Sequence, residues 1–117
     1  MDDHARRWEL RAQYAQTRPE PGVYRIVNAR NGRALLGSTP NLGSVRSKLE
    51  FARTTRTAGV LDRRLSADLS QFGIDAFALE ILEVLDVKPG MTPAQILEDL
   101  ATLEALWRER QDPALLY

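Results

Sequence analysis

The apolar positions of the chain fall into two alternating periods. From Asp3 to Thr17 there is no Gly or Pro, and Trp8, Ala12 and Ala15 recur at helical spacing behind the capping candidates Asp2 and Asp3. Arg18-Pro19-Glu20-Pro21-Gly22 ends that pattern, which divides a helical extension over residues 1–18 from a domain over residues 19–117. Val23-Tyr24-Arg25-Ile26-Val27 is β-branched and aromatic, with Tyr24 and Ile26 on one face and Val23 and Val27 on the other. Asn31-Gly32 then stands before a second apolar run, Ala34-Leu35-Leu36, and predicts a hairpin whose two turn residues both tolerate positive φ.

After the turn chemistry of Thr39-Pro40-Asn41, a helix capped by Asn41 or Ser44 is expected to carry Val45, Leu49, Phe51 and Ala52. Arg53 to Gly59 reads as a polar loop. Val60, Leu61, Leu65, Leu69 and Phe72 return to helical spacing, with Gly73 at the C-terminal cap. Ala76 to Leu85 reads as a third strand with Phe77, Leu79 and Ile81 on one face. Thr92-Pro93-Ala94-Gln95 opens a last helix that should reach about Arg110, with Thr92 as N-cap, Pro93 at the first helical position and Gln95 completing a capping box. The order gives an α+β fold: a three-stranded antiparallel sheet containing a hairpin, flanked by helices, plus the N-terminal helix.

Composition narrows the chemistry. The 117 residues include no cysteine and a single histidine, His4, which excludes disulfides, thiol catalysis, a cysteine zinc site, a histidine triad and a two-histidine metal site within one chain. No apolar run approaches a membrane span and no secretory signal is visible, so a cytoplasmic protein that engages no membrane is expected. The net charge of zero conceals a division. Residues 25–64 hold nine basic side chains against two acidic, and residues 65–117 hold three basic against ten acidic. All but Lys48 and Lys88 of the basic residues are arginine, the better fork for phosphate. Such a block suits a nucleic-acid surface, and it equally suits a basic half that faces an acidic half within the fold.

On the last helix, Ile96, Leu97, Leu100, Leu103 and Trp107 form an apolar stripe, from whose centre Glu104 lies only about 50° away. A carboxylate at the margin of a core needs a hydrogen bond, an ion-pair partner or a bound cation.

In series, Gly22-Val23-Tyr24, the Asn-Gly hairpin, Leu35-Leu36-Gly37-Ser38-Thr39 and Asn41-Leu42 resemble the signature of the GIY-YIG endonuclease superfamily. Gln71-Phe72-Gly73, Phe77-Ala78-Leu79-Glu80-Ile81-Leu82 and Leu103-Glu104-Ala105-Leu106-Trp107 are similar to that family's later corner, third strand and C-terminal helix. The resemblance implies metal-dependent hydrolysis of DNA phosphodiesters, with Mg²⁺ or Mn²⁺ held at Glu104 and no small-molecule cofactor. It gives Tyr24 the task of helping to deprotonate the attacking water, and it gives an arginine the charge that develops on phosphate. The match is partial. Leu35 occupies the place of a second tyrosine, Val45 the place of the helix arginine, and Leu49 the place of a histidine often found further along. Arg46, rotated about 100° from Val45, is the nearest arginine to the implied position. Tyr24, Arg46 and Glu104 are therefore the candidate catalytic residues, and Arg33, Lys48, Arg53, Arg56, Arg63 and Arg64 the candidate nucleic-acid contacts. Two other classes fit the same sequence: a family member that binds DNA without cutting it, and a protein-interaction or regulatory module on the same fold.

Overall fold

A computed structural model of the chain describes residues 19–56 and 62–117. The helix expected over Asp3–Thr17, and the positions of Val60 and Leu61, lie outside the described residues. The architecture is α+β, as the sequence predicts: an open three-stranded antiparallel sheet with helices packed on it. Strand β1 (Gly22–Asn28) runs in the centre, between β2 (Ala34–Thr39) and β3 (Phe77–Val84). Helix α1 (Leu42–Thr55) follows the hairpin, a 3₁₀ turn (Arg63–Leu65) leads into the short helix α2 (Ser66–Phe72), and α3 (Pro93–Glu109) follows β3. Among the described residues, no helix is long and apolar enough to cross a membrane.

The hairpin departs from a two-residue turn. Gly32 takes φ 75° while Asn31 does not enter the left-handed region. The Asn28 amide donates to the Arg33 carbonyl at 2.8 Å, so the loop comprises the four residues between them. Two side chains hold it: Asn28 Oδ1 accepts from the Arg30 amide at 2.9 Å, and Asn31 Oδ1 accepts from the Arg33 amide at 3.0 Å. This loop length sets Tyr24 opposite Gly37 on β2, and β1 in turn sets Tyr24 opposite Ile81 on β3.

One face of the sheet carries the main core. Ile26, Leu35 and Phe77 pack with Leu49 and Ala52 of α1, with Leu65 of the 3₁₀ turn and with Leu69 of α2. In α1, Leu42, Leu49 and Ala52 are buried and Val45 half-buried, so the stripe steps by three and four residues. Phe51, expected on it, stands about 200° around the helix from Leu49 and is 53% exposed. Arg53 to Thr55, expected as loop, prolong α1 by a turn, and the helix ends where Arg56 takes φ 58°. Leu65, expected within a helix, forms part of the 3₁₀ turn instead.

Val23, Leu36 and Leu100 are buried outside that cluster, where α3 crosses β1 and β2. Its start is as the sequence predicts: Thr92 Oγ1 accepts from the Gln95 amide at 3.2 Å, and Gln95 Oε1 accepts from the Thr92 amide at 2.9 Å. Its far end is tied to the sheet by Trp107 Nε1 donating to Glu83 at 2.9 Å and by Arg25 donating to Gln111 at 3.0 Å. Leu97 belongs to the expected stripe yet stays 54% exposed, because the helix meets the sheet along the line of Leu100.

Candidate functional site

Tyr24 gathers the site. It packs half-buried against the main core, and its ring crosses Gly37 of the neighbouring strand. A Cβ at Gly37 would lie 2.8 Å from the Tyr24 hydroxyl oxygen and 2.9 Å from Cζ, so only glycine leaves the ring its place. Among the described residues, no side chain hydrogen-bonds the Tyr24 hydroxyl. Burial pushes its pKa above the usual phenol value, and the negative charges of Asp62 and then Glu104 push the same way, against the opposing charge of Arg64. These four side chains come from β1, the 62–64 segment and α3. The phenol is therefore firmly protonated at neutral pH.

Glu104 is half-buried, with its side chain 29% exposed, and its Oε2 accepts from Arg108 Nη2 one turn along at 3.2 Å. Asp62 is held more tightly. It caps the 3₁₀ turn by accepting from the Arg64 amide at 2.9 Å, and it accepts from one edge of the Arg64 guanidinium, Nε to Oδ1 at 3.0 Å and Nη2 to Oδ2 at 2.8 Å. Those bonds bring the Asp62 carboxyl down to about 2. Arg64 is correspondingly pushed further toward its charged form, first by Asp62 and also by Tyr24 and Glu104.

The remaining candidates are distributed more widely. Leu35 is buried across from Ile26, so the position of the second tyrosine is filled by the core. Arg46 is exposed and lines a groove of about 370 Å³ between α1 and β3 with Glu50, Arg53, Leu79 and Ile81. Arg53 reaches across to donate to the Phe77 carbonyl at 2.6 Å. Arg33 stacks on Tyr117, 4.5 Å from the ring centroid, and donates to the Leu116 carbonyl at 3.3 Å. Arg56 pairs with Asp75 at 2.7 Å, while Arg25 pairs with Glu80 at 2.6 Å. The basic middle of the sequence thus meets its acidic end at several points. Lys48 and Arg63 are exposed.

Both carboxylates are engaged within the protein, Asp62 by Arg64 and Glu104 by Arg108. Among the described residues, no group of three or more acidic or histidine side chains gathers to hold a metal. A lone carboxylate supplies one part of the oxygen shell that Mg²⁺ or Mn²⁺ takes.

Sequence reasoning singled out Tyr24 and Glu104. It read Gly37 as a strand-end glycine, placed Arg64 on a general surface and did not single out Asp62. Comparison of the chain with protein-family models, with curated proteins and with solved structures finds no match.

Proposed function

We propose that this protein acts on the phosphodiester backbone of DNA, at the cluster of Tyr24, Glu104 and Arg64. The observation that carries the reading is the Tyr24 hydroxyl: seated over Gly37, without a side-chain partner among the described residues, and in the combined field of two carboxylates and a guanidinium. Such a group is built to donate a hydrogen bond to an incoming acceptor. A non-bridging phosphate oxygen is such an acceptor: Arg64 attracts its charge, and a cation at Glu104 would offset the two carboxylates. Protonated at neutral pH as any phenol is, Tyr24 is a hydrogen-bond donor in the resting protein, whereas the GIY-YIG resemblance implies a base. A divalent cation held at Glu104 would supply Lewis-acid polarisation of the phosphoryl group. Glu104 must exchange its Arg108 contact for that cation, and an exposed ion pair of this kind costs little to open.

A second reading is favoured by Leu35, whose burial leaves the cluster one proton-transfer group short: the protein binds DNA without cutting it. The experiment that separates the two uses supercoiled plasmid, branched DNA and single-stranded DNA with Mg²⁺ or Mn²⁺, comparing the wild type with Glu104→Ala. Hydrolysis predicts cutting by the wild type that falls by about 10²–10⁴ in the variant, with DNA binding retained. Equal binding and no cutting by either protein would establish the binding module. No binding by either would overturn both.

A further inference from the structure

The two outer edges of the sheet are treated differently. On β2, Leu116 bridges to Ala34, and the Tyr117 amide donates to the Ala34 carbonyl at 3.0 Å. On β3, no strand among the described residues pairs with the edge that faces away from β1. An open edge presents unpaired backbone donors and acceptors, which natural sheets blunt with charge, proline or a covering segment. Just before β3, the Ala76 carbonyl accepts from the Ala29 amide at 2.9 Å, so Ala76 faces β1. Alternation along the strand then turns the backbone groups of Phe77, Leu79 and Ile81 outward. Phe77 is covered, because its carbonyl accepts from Arg53 Nη2 at 2.6 Å. Leu79 and Ile81 have no such cover among the described residues.

Beside this edge runs the groove of about 370 Å³ between α1 and β3, where Arg46 and Glu50 face Leu79 and Ile81. Ile81 is 39% exposed there. Arg46 and Glu50 carry opposite charges one helical turn apart. Glu50 meets only Arg53, at 3.8 Å, and Arg46 has no ion-pair partner among the described residues. Arg53, near the end of α1, reaches the first residue of β3, while Arg46 shares the groove with Ile81, so the two elements run in opposite senses. With rises of about 1.5 Å and 3.3 Å per residue, the midpoint between Arg46 and Glu50 lies about level with Leu79 and Glu80.

That coincidence of levels makes the edge complementary to itself. A two-fold axis normal to the sheet at Glu80 sets β3 antiparallel to its own copy, with Leu79 opposite Ile81 on both sides. This is the register in which the outward backbone groups exchange hydrogen bonds. The same axis brings both α1 helices to one face and sets Arg46 of each copy against Glu50 of the other. It also brings Glu80 beside its own copy, a like-charge pair that Arg25 offsets, since Arg25 already meets Glu80 at 2.6 Å.

We infer that the outer edge of β3 is a self-association surface: a second copy of this chain pairs antiparallel with it about Glu80, joining the two sheets into one, with reciprocal Arg46–Glu50 ion pairs above the seam. The inference stands apart from the phosphodiester reading, because no residue of the Tyr24 cluster takes part in it.

The test is sedimentation equilibrium of the full chain over a range of concentrations, for the wild type, Ile81→Lys, Arg46→Glu, Glu50→Arg and the double reversal. The wild type should pass from monomer to dimer as its concentration rises. Each single reversal should weaken association about tenfold or more, because like charges then meet at two symmetric places. The double reversal restores opposite signs across the axis and should recover to within about threefold of the wild type. Ile81→Lys puts a charge on the pairing edge and should abolish the dimer. Circular dichroism verifies the fold of each variant, and rescue by the double reversal is a sign that a folding defect would not give. A wild type that stays monomeric up to about 1 mM would overturn the inference. So would a dimer that the single reversals leave unchanged, or a double reversal no stronger than either single one.

Discussion

Two clusters on the same strand, each containing a tyrosine, an aspartate and an arginine, behave in opposite ways. At one end of β1, Tyr24 sits with Asp62, Glu104 and Arg64. Towards the other end, Asn28 sits with Asp68, Asn31, Arg33 and Tyr117. In the second cluster, Asp68 Oδ2 accepts from the Tyr117 hydroxyl at 2.5 Å, from Asn31 at 2.9 Å and from Asn28 at 3.4 Å, and Asn28 also donates to the Tyr117 oxygen at 3.1 Å. Arg33 covers the Tyr117 ring, and the Tyr117 amide donates to the Ala34 carbonyl at 3.0 Å. These polar groups meet one another, so the cluster works as a clasp joining the hairpin, α2 and the 113–117 segment. In the first cluster the phenol has charges around it and, among the described residues, no hydrogen-bond partner on it. Saturation marks a structural network, and an unfilled donor within a strong field marks a place for a ligand.

The largest stability effect should come from opening the clasp. Tyr117→Ala removes a half-buried ring, leaves the buried Asn28 amide short of an acceptor and should cost about 2–4 kcal/mol in denaturant unfolding. Gly37→Ala follows, at about 1–3 kcal/mol, since the added Cβ collides with the Tyr24 ring and the site must shift to admit it. Its sharper sign is displacement of the Tyr24 ring resonances with the remaining spectrum intact. Next, one chemical change made twice tests the contrast itself. Tyr117→Phe should cost about 1–2 kcal/mol because it removes one hydrogen bond each from Asp68 and Asn28, whereas Tyr24→Phe should cost less than about 0.5 kcal/mol because no side chain among the described residues bonds that hydroxyl. Equal costs would abolish the distinction drawn between the clusters.

Acid should read the clasp as well. The Tyr117 hydroxyl, and then Asn31, hold the Asp68 carboxyl below its usual range. A depressed acid contributes stability above its unfolded pKa of about 4, and that contribution is lost as the pH falls through the folded value. Unfolding free energy should therefore decline below about pH 4, and less steeply in Tyr117→Phe. The smallest effect belongs to the open cluster in base. The Tyr24 phenolate should form only above the ordinary value of about 10, costing stability as the pH rises through its folded pKa. Glu104→Gln should move that titration slightly downward, visible in the ultraviolet absorbance of the phenolate.

Much of this was legible in the residues. The three strands, the face shared by Tyr24 and Ile26, and the Thr92–Gln95 capping box follow from local period and turn chemistry. Tyr24 and Glu104 stood out because a resemblance and a core-edge position pointed to each. What escaped depended on contacts distant in sequence. Asn31-Gly32 reads as a two-residue turn, which would set Thr39 opposite Tyr24; the side chains of Asn28 and Asn31 select a four-residue loop, and only that register brings Gly37 under the ring. Arg64 looked like one more member of a basic block, because its place depends on Leu65 entering the core and on a fork to a residue two positions away. Arg33 and Arg53 likewise looked free, and their partners, Tyr117 and the Phe77 carbonyl, lie 84 and 24 residues further along.

The central claim is that the open cluster acts on phosphodiesters and the closed one does not. Plasmid cleavage with Mg²⁺ by the wild type, Tyr24→Phe and Tyr117→Phe, at a temperature where all three are folded, tests it most directly. The account predicts that Tyr24→Phe loses cutting by about 10²-fold or more while Tyr117→Phe cuts like the wild type. Equal cutting by Tyr24→Phe and the wild type would contradict it.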